Sequence, residues 1–257
     1  MIIGYLYGSM LKELLRFKRI GIWLVVCVVL YGMGLAFSTY NRTPNADNYP
    51  QLSGALIFKF LPLIATIFST TVLAQEVEQK TIVYLLTRPV QRYQMILMRT
   101  LAAITVTAIL GIIAAICVSF AAKGGSFLSN ELLYRDFKGI IIGSAAYCSL
   151  FVFISLLLNR ALVACLLYAF GWELMIPNMQ GSMYQLSIAS HIEAICERPQ
   201  PATGSNPVTS FLSGSFGTNL LTPSTSWMVL IGLTVVMLGL SMFWFMRSEF
   251  LPREDAE

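Results

Sequence analysis

Charge is scarce in this sequence. Asp, Glu, Lys and Arg make up 12% of the 257 residues, whereas 56% are hydrophobic. A water-soluble domain carries about twice that charge density, so most of the chain must face something other than water. Histidine is nearly absent. His191 stands alone, and a zinc site or a catalytic triad needs partners for it, so it reads as an ordinary loop residue and no metal site is expected. There is no HExxH, no GxSxG and no GxxxxGK[ST]. The last absence means that this chain does not cradle nucleotide phosphates as a P-loop does. Cys27, Cys117, Cys148 and Cys165 lie inside apolar runs, and Cys196 falls in a loop without an obvious partner. With no CxxC pair, neither a disulfide framework nor a zinc site is suggested. The net charge of +4 comes without a basic run interleaved with aromatics, which argues against nucleic-acid binding.

What the chain does have is long apolar runs. A spanning helix needs about 20 apolar residues, and six segments qualify: 20–37, 52–73, 94–121, 137–158, 161–179 and 227–246. Only Asn159 and Arg160 separate the fourth from the fifth, which predicts a tight helical hairpin. The fold class expected is therefore an all-α membrane protein, one transmembrane domain over 1–257. The basic cluster near the N-terminus precedes a run long enough to span, with no small-residue cleavage site after it, unlike a secretory signal. Lys and Arg in loops set orientation. With the N-terminus inside, eleven loop Lys and Arg residues lie inside and five outside. The expectation is a multi-pass protein of the inner or plasma membrane with both termini cytoplasmic.

Ahead of the first span, Tyr5–Lys18 has amphipathic spacing. Ser9, Lys12, Glu13 and Arg16 share one face, and Tyr7, Met10, Leu11, Leu14 and Leu15 the other. That pattern predicts a helix over 5–18 lying in the membrane interface; the alternative is the start of one long first helix. On the outside, 180–226 is long and rich in Pro, Gly and Ser. Tyr184–Cys196 and Val208–Leu220 are candidate short amphipathic helices within it.

The most informative segment is cytoplasmic, between the second and third spans: QEVEQKTIVYLLTRPVQR over 75–92. Glu76 and Glu78 come early and Lys80 later, which complements a helix macrodipole. Pro89 disfavours helical geometry at Arg88 and would stop the helix there. Charged ends and an apolar middle suit docking into a shallow protein cleft. This stretch resembles the E-x-E-x-[GK]-T-x-x-x-L-L-[ST]-x-P-x-x-R signature of type-2 ABC export permeases, in the branch that includes permeases of multicopper-enzyme maturation and gliding-motility transporters. The matching positions are Glu76, Glu78, Thr81, Leu85, Leu86, Pro89 and Arg92; Lys80 stands where the family often has Gly. The pattern of interfacial helix, six spans and large external segment resembles the family over nearly the whole chain.

The resemblance implies that 75–92 is a coupling helix that docks on a cytoplasmic ABC ATPase, with Arg88 inside it. It implies a second permease copy or a related permease as partner, with lipid around both, and leaves room for a periplasmic or extracytoplasmic accessory protein. Catalysis would lie in the ATPase, which would bind ATP and Mg; this chain would be no enzyme and would bind no cofactor. Two other readings stay open. A secondary transporter would use an ion gradient, although such proteins usually show repeat symmetry around a midplane site. A membrane scaffold would anchor an ATPase without transport.

Two charges fall inside the spans. At helical rise Lys59 lies about 10 Å from the outer end of the second, and Glu173 about 18 Å from the inner end of the fifth. In a core of about 30 Å these depths are similar, so Lys59 and Glu173 form a candidate intramembrane pair. Alternatively, Lys59 snorkels outward and Glu173 reaches the external boundary through the break at Pro177. Gly139-x-x-x-Gly143 matches a close-packing pattern, as does Gly4-x-x-x-Gly8.

Overall fold

The computed structural model describes residues 7, 8, 10–12, 14, 17–40, 49–78, 92–124, 131–158, 160–176, 183–197 and 221–247. Among them the regular structure is helical throughout, with no strand. Helices lie over all six apolar runs. The first is α1 (Phe17–Tyr40). The second begins as α2 (Tyr49–Leu52), widens into a π-helical segment over Ser53–Phe58, and continues as α3 (Lys59–Glu78). The third is α4 (Arg92–Lys123) and the fourth α5 (Glu131–Leu157). The fifth is α6 (Ala161–Leu167), a second π-helical segment (Tyr168–Trp172) and the short α7 (Glu173–Met175). A 3-10 turn (Met183–Leu186) leads into α8 (Ile188–Ile195), and α9 (Pro223–Arg247) is the last.

Among the described residues three helices are long and apolar enough to cross a membrane: Tyr93–Lys123, Glu131–Leu157 and Pro223–Arg247; shorter apolar helical stretches lie at Val25–Ala36, Leu56–Thr71 and Ala161–Met175. In α9, Trp227 and Trp244 are both partly exposed, and at 1.5 Å per residue they stand about 26 Å apart along the axis. Aromatic rings favour the two membrane–water boundaries, and that spacing is close to the hydrocarbon thickness.

The centre of the bundle is α5. It packs on α3, α4, α6, α8 and α9, and 56% of its apolar window is buried against 17% for α9. Tyr147, Cys148 and Phe151 of α5 have no exposed surface. The open faces of α1 and α9 carry Val25, Val28, Met228 and Val235, all more than half exposed, as a surface meeting hydrocarbon would. Small residues set the closest approaches. A Cβ added at Gly111 of α4 would lie 2.7 Å from Ile140 of α5, closer than atoms pack.

The two π-helical segments were not expected from the sequence. The first has a local cause: Pro62 lies inside α3, and with no N–H it cannot serve the carbonyl of Phe58. A widened turn just before the proline accommodates this.

At the N-terminus Tyr7, Gly8, Met10, Leu11, Lys12 and Leu14 are helical. Met10 and Leu14 are buried against Trp23 of α1, Phe68 of α3 and Val106 of α4, while Lys12 is exposed. Tyr7 donates a 3.0 Å hydrogen bond to Thr105 Oγ1. Met10 and Leu14 of the apolar face thus pack on protein.

Candidate functional site

Packing distinguishes the two ends of the bundle. Ile96 near the start of α4 clusters with Val152 near the end of α5 and Phe245 near the end of α9. At the opposite end α8 lies against the starts of α5 and α9. A Cβ at Gly143 would meet Ile192 of α8 at 2.5 Å and Leu61 of α3 at 3.1 Å, so α3 also starts at the α8 end. The C-terminus of α3 and the N-terminus of α4 consequently share the end away from α8.

Those termini bracket the motif segment. Glu76 and Glu78 lie on the last turn of α3, which runs on helically beyond the expected end of the second span, and Arg92 opens α4. Lys80, Thr81, Leu85, Leu86, Arg88 and Pro89 lie outside the described residues. The expected helix over Val208–Leu220 and the break at Pro177 lie outside them too.

The α8 end holds a dense polar cluster. Glu173 is buried, and its carboxylate accepts four hydrogen bonds: from the Ser187 hydroxyl at 2.6 Å, the Ile188 and Ala189 N–H groups at 3.1 Å, and the Tyr168 hydroxyl at 3.2 Å. The two N–H groups belong to the first turn of α8, where helices leave donors without intrahelical partners and present partial positive charge. Ser187 is also the N-cap, accepting from the Ser190 N–H. The Tyr147 hydroxyl lies in the field of the same carboxylate, fully buried and outside hydrogen-bond geometry.

Lys59 is served differently. The carboxylate whose field acts on it belongs to Glu193 of α8. Glu173 is thus bonded at the N-terminus of α8, through Ser187, Ile188 and Ala189. Lys59 and Glu173 both follow immediately on π-helical segments.

His191 is another departure from the sequence reading. It is no loop residue but a buried member of α8. Nε2 lies 2.9 Å from the Gln185 carbonyl and must donate to it; Nδ1 then accepts from the Ser226 hydroxyl at 3.2 Å. This is the neutral tautomer, and burial pushes the imidazole below its ordinary range of ionisation, opposed in part by the bond to Gln185. Cys196, also assigned to a loop, is fully buried at the C-cap of α8. Nearby, Tyr49 donates to Asp136 Oδ2 at 2.8 Å, joining α2 to α5. At the surface Arg135 bridges Glu131 and Glu197, and the hydrogen bond to Glu131 holds its guanidinium above the usual range.

Sequence reasoning missed Tyr168, Ser187, Glu193 and Ser226. For Ser187 a signal existed: a serine immediately before a short amphipathic run is an N-cap pattern. The others are brought together only by tertiary packing.

The arrangement is that of an apolar helical bundle with a helix-bracketed segment at one end and the clasped helix α8 at the other. No curated protein matches the chain. The family model described as ABC-2 family transporter protein matches residues 37–250, from the end of α1 past the end of α9, and the chain belongs to that family of ABC transporter permeases.

Proposed function

We propose that this chain is the membrane subunit of an ABC exporter, crossing the bilayer six times with both termini cytoplasmic and the N-terminal helix in the inner interface. Residues 75–92 form the coupling helix. ATP binding, with Mg, closes two partner ATPase subunits on each other. Glu76, Glu78, Lys80, Thr81, Leu85, Leu86, Arg88, Pro89 and Arg92 take up that motion, and α3 and α4 carry it into the bundle. A second permease copy or a relative completes the path, which opens alternately to either side. The physical content is a two-state element biased by ligand binding in another subunit.

The family match over 37–250 carries this reading. The position of the motif supports it, because Glu78 ends one long helix and Arg92 begins the next. A push on the segment between them is delivered along both axes.

The test is a mild-detergent pull-down of the tagged chain from its native membranes, with mass spectrometry of what accompanies it. A P-loop ATPase is expected with the wild type and not with Glu78→Lys. Its absence from the wild type would exclude the coupling role.

A further inference from the structure

Glu173, one of the two charges that the sequence places inside the spans, bonds to the first turn of α8. This helix has eight residues, too few to be stable alone in water, so its order depends on what holds it. One side of it fills a notch in α5: Ile192 lies over Gly139 and Gly143, and Cys196 Sγ lies 2.5 Å from where a Gly139 Cβ would be. The other attachments are polar and come from three different helices. Glu173 takes the N-terminus, Lys59 of α3 acts on Glu193, and Ser226 of α9 bonds His191.

We propose that α8 is a hinged cover over the outer end of the bundle, latched by Glu173, and that it undocks as a unit when that carboxylate lets go of Ser187 and the first turn of α8. The latch is poised to move because Glu173 follows directly on the π-helical segment Tyr168–Trp172. Such segments recur at functional sites, and shifting the extra residue of a π turn rotates whatever follows it. The catch is concentrated: one carboxylate holds Ser187, Ile188 and Ala189 together, so a single rotation releases three bonds. The apolar seat that remains, Ile192 over Gly139 and Gly143, lies against glycine backbone on the α5 side. This inference concerns a movement within the chain and goes beyond the coupling role; it does not depend on an ATPase partner.

Cys196 is a built-in reporter. It is fully buried while α8 is docked, and its Sγ points to the Arg135 carbonyl at 3.7 Å. The experiment is maleimide labelling of the purified full chain in nanodiscs, with each cysteine quantified by peptide mass spectrometry. Cys148 and Cys165, buried in the bundle, serve as internal controls. In Glu173→Ala the labelling rate of Cys196 should rise by about tenfold or more, the shift expected from losing charge-assisted hydrogen bonds, with Cys148 and Cys165 unchanged. Ser187→Ala, which removes one of the three bonds between α8 and the carboxylate together with the N-cap bond from the Ser190 N–H, should give a smaller rise in the same cysteine, and it serves as the test if Glu173→Ala does not purify as a monodisperse species. An unchanged Cys196 rate in the variant tested, or a rise shared equally by all three cysteines, would overturn the proposal.

Discussion

The two ends of this bundle are built on different principles. At the end away from α8 the distinctive residues are consecutive in the chain: Glu76 and Glu78 finish α3 and Arg92 starts α4. At the α8 end they are scattered over Lys59, Glu173, Ser187, His191 and Ser226, and folding brings them together. A surface that docks a separate protein can be a linear segment held between two helices. A surface that closes on the same chain must be assembled from several. The first kind is readable as a motif, and the second is visible only as isolated residues with no declared partners.

Substitutions at the two ends should therefore separate cleanly. The largest effect is expected for Glu78→Lys, which reverses charge in the proposed coupling segment: ATPase co-purification and ATP-driven transport should fall by at least about tenfold, equivalent to about 1.4 kcal/mol of docking energy, while the thermal midpoint of the isolated chain stays put. Retained ATPase would place docking elsewhere.

Next in size is the glycine notch. The Gly139→Ala/Gly143→Ala double variant puts two Cβ atoms 2.5 Å from Cys196 and Ile192, and overpacking of this kind costs about 1–3 kcal/mol. Its thermal midpoint should drop, whereas Gly232→Ala on α9, with nothing within 4 Å, should leave it unchanged. Equal behaviour of the two would mean that α8 does not seat in the notch.

His191 gives a smaller, pH-dependent effect. Its imidazole ionises below the ordinary value of 6.5 in the folded chain because burial disfavours the cation. The unfolded chain then binds the proton more readily, so this contribution to stability is complete above pH 6.5 and is lost as pH falls through the lower folded value. Thermal melts between pH 7.5 and pH 5 (about the span over which a histidine near 6.5 titrates) should show a steeper acid loss in the wild type than in His191→Gln. Parallel curves would remove His191 as the cause.

Smallest of all is Arg135→Ala. Its bridges to Glu131 and Glu197 are at the surface, where solvent screens such pairs, and no change in midpoint or labelling is expected.

Much of the helical layout was legible because apolar run length and helix length obey the same constraint. Among the described residues helices fall within all six runs, and α5 ends at Leu157 shortly before α6 begins at Ala161. Tyr184–Cys196 was seen as an amphipathic stretch, and the structure has α8 there. What the stretch packs against was not legible, because a buried amphipathic helix and an exposed one have the same periodicity. The π-helical segments left no pattern of their own, although Pro62 supplies the cause of one. Glu173 could be recognised as costly in a membrane, but its acceptors' partners are backbone N–H groups 15 and 16 positions later, which no side-chain pattern announces.

The most direct measurement of the central claim is the amount of ATPase that co-purifies with three forms of the tagged chain: wild type, Glu78→Lys and Glu173→Ala. The account predicts that the wild type and Glu173→Ala carry the ATPase, because the proposed latch lies at the other end of the bundle from Glu78, and that Glu78→Lys does not. Loss from Glu173→Ala with retention by Glu78→Lys, or no ATPase with the wild type, would contradict it.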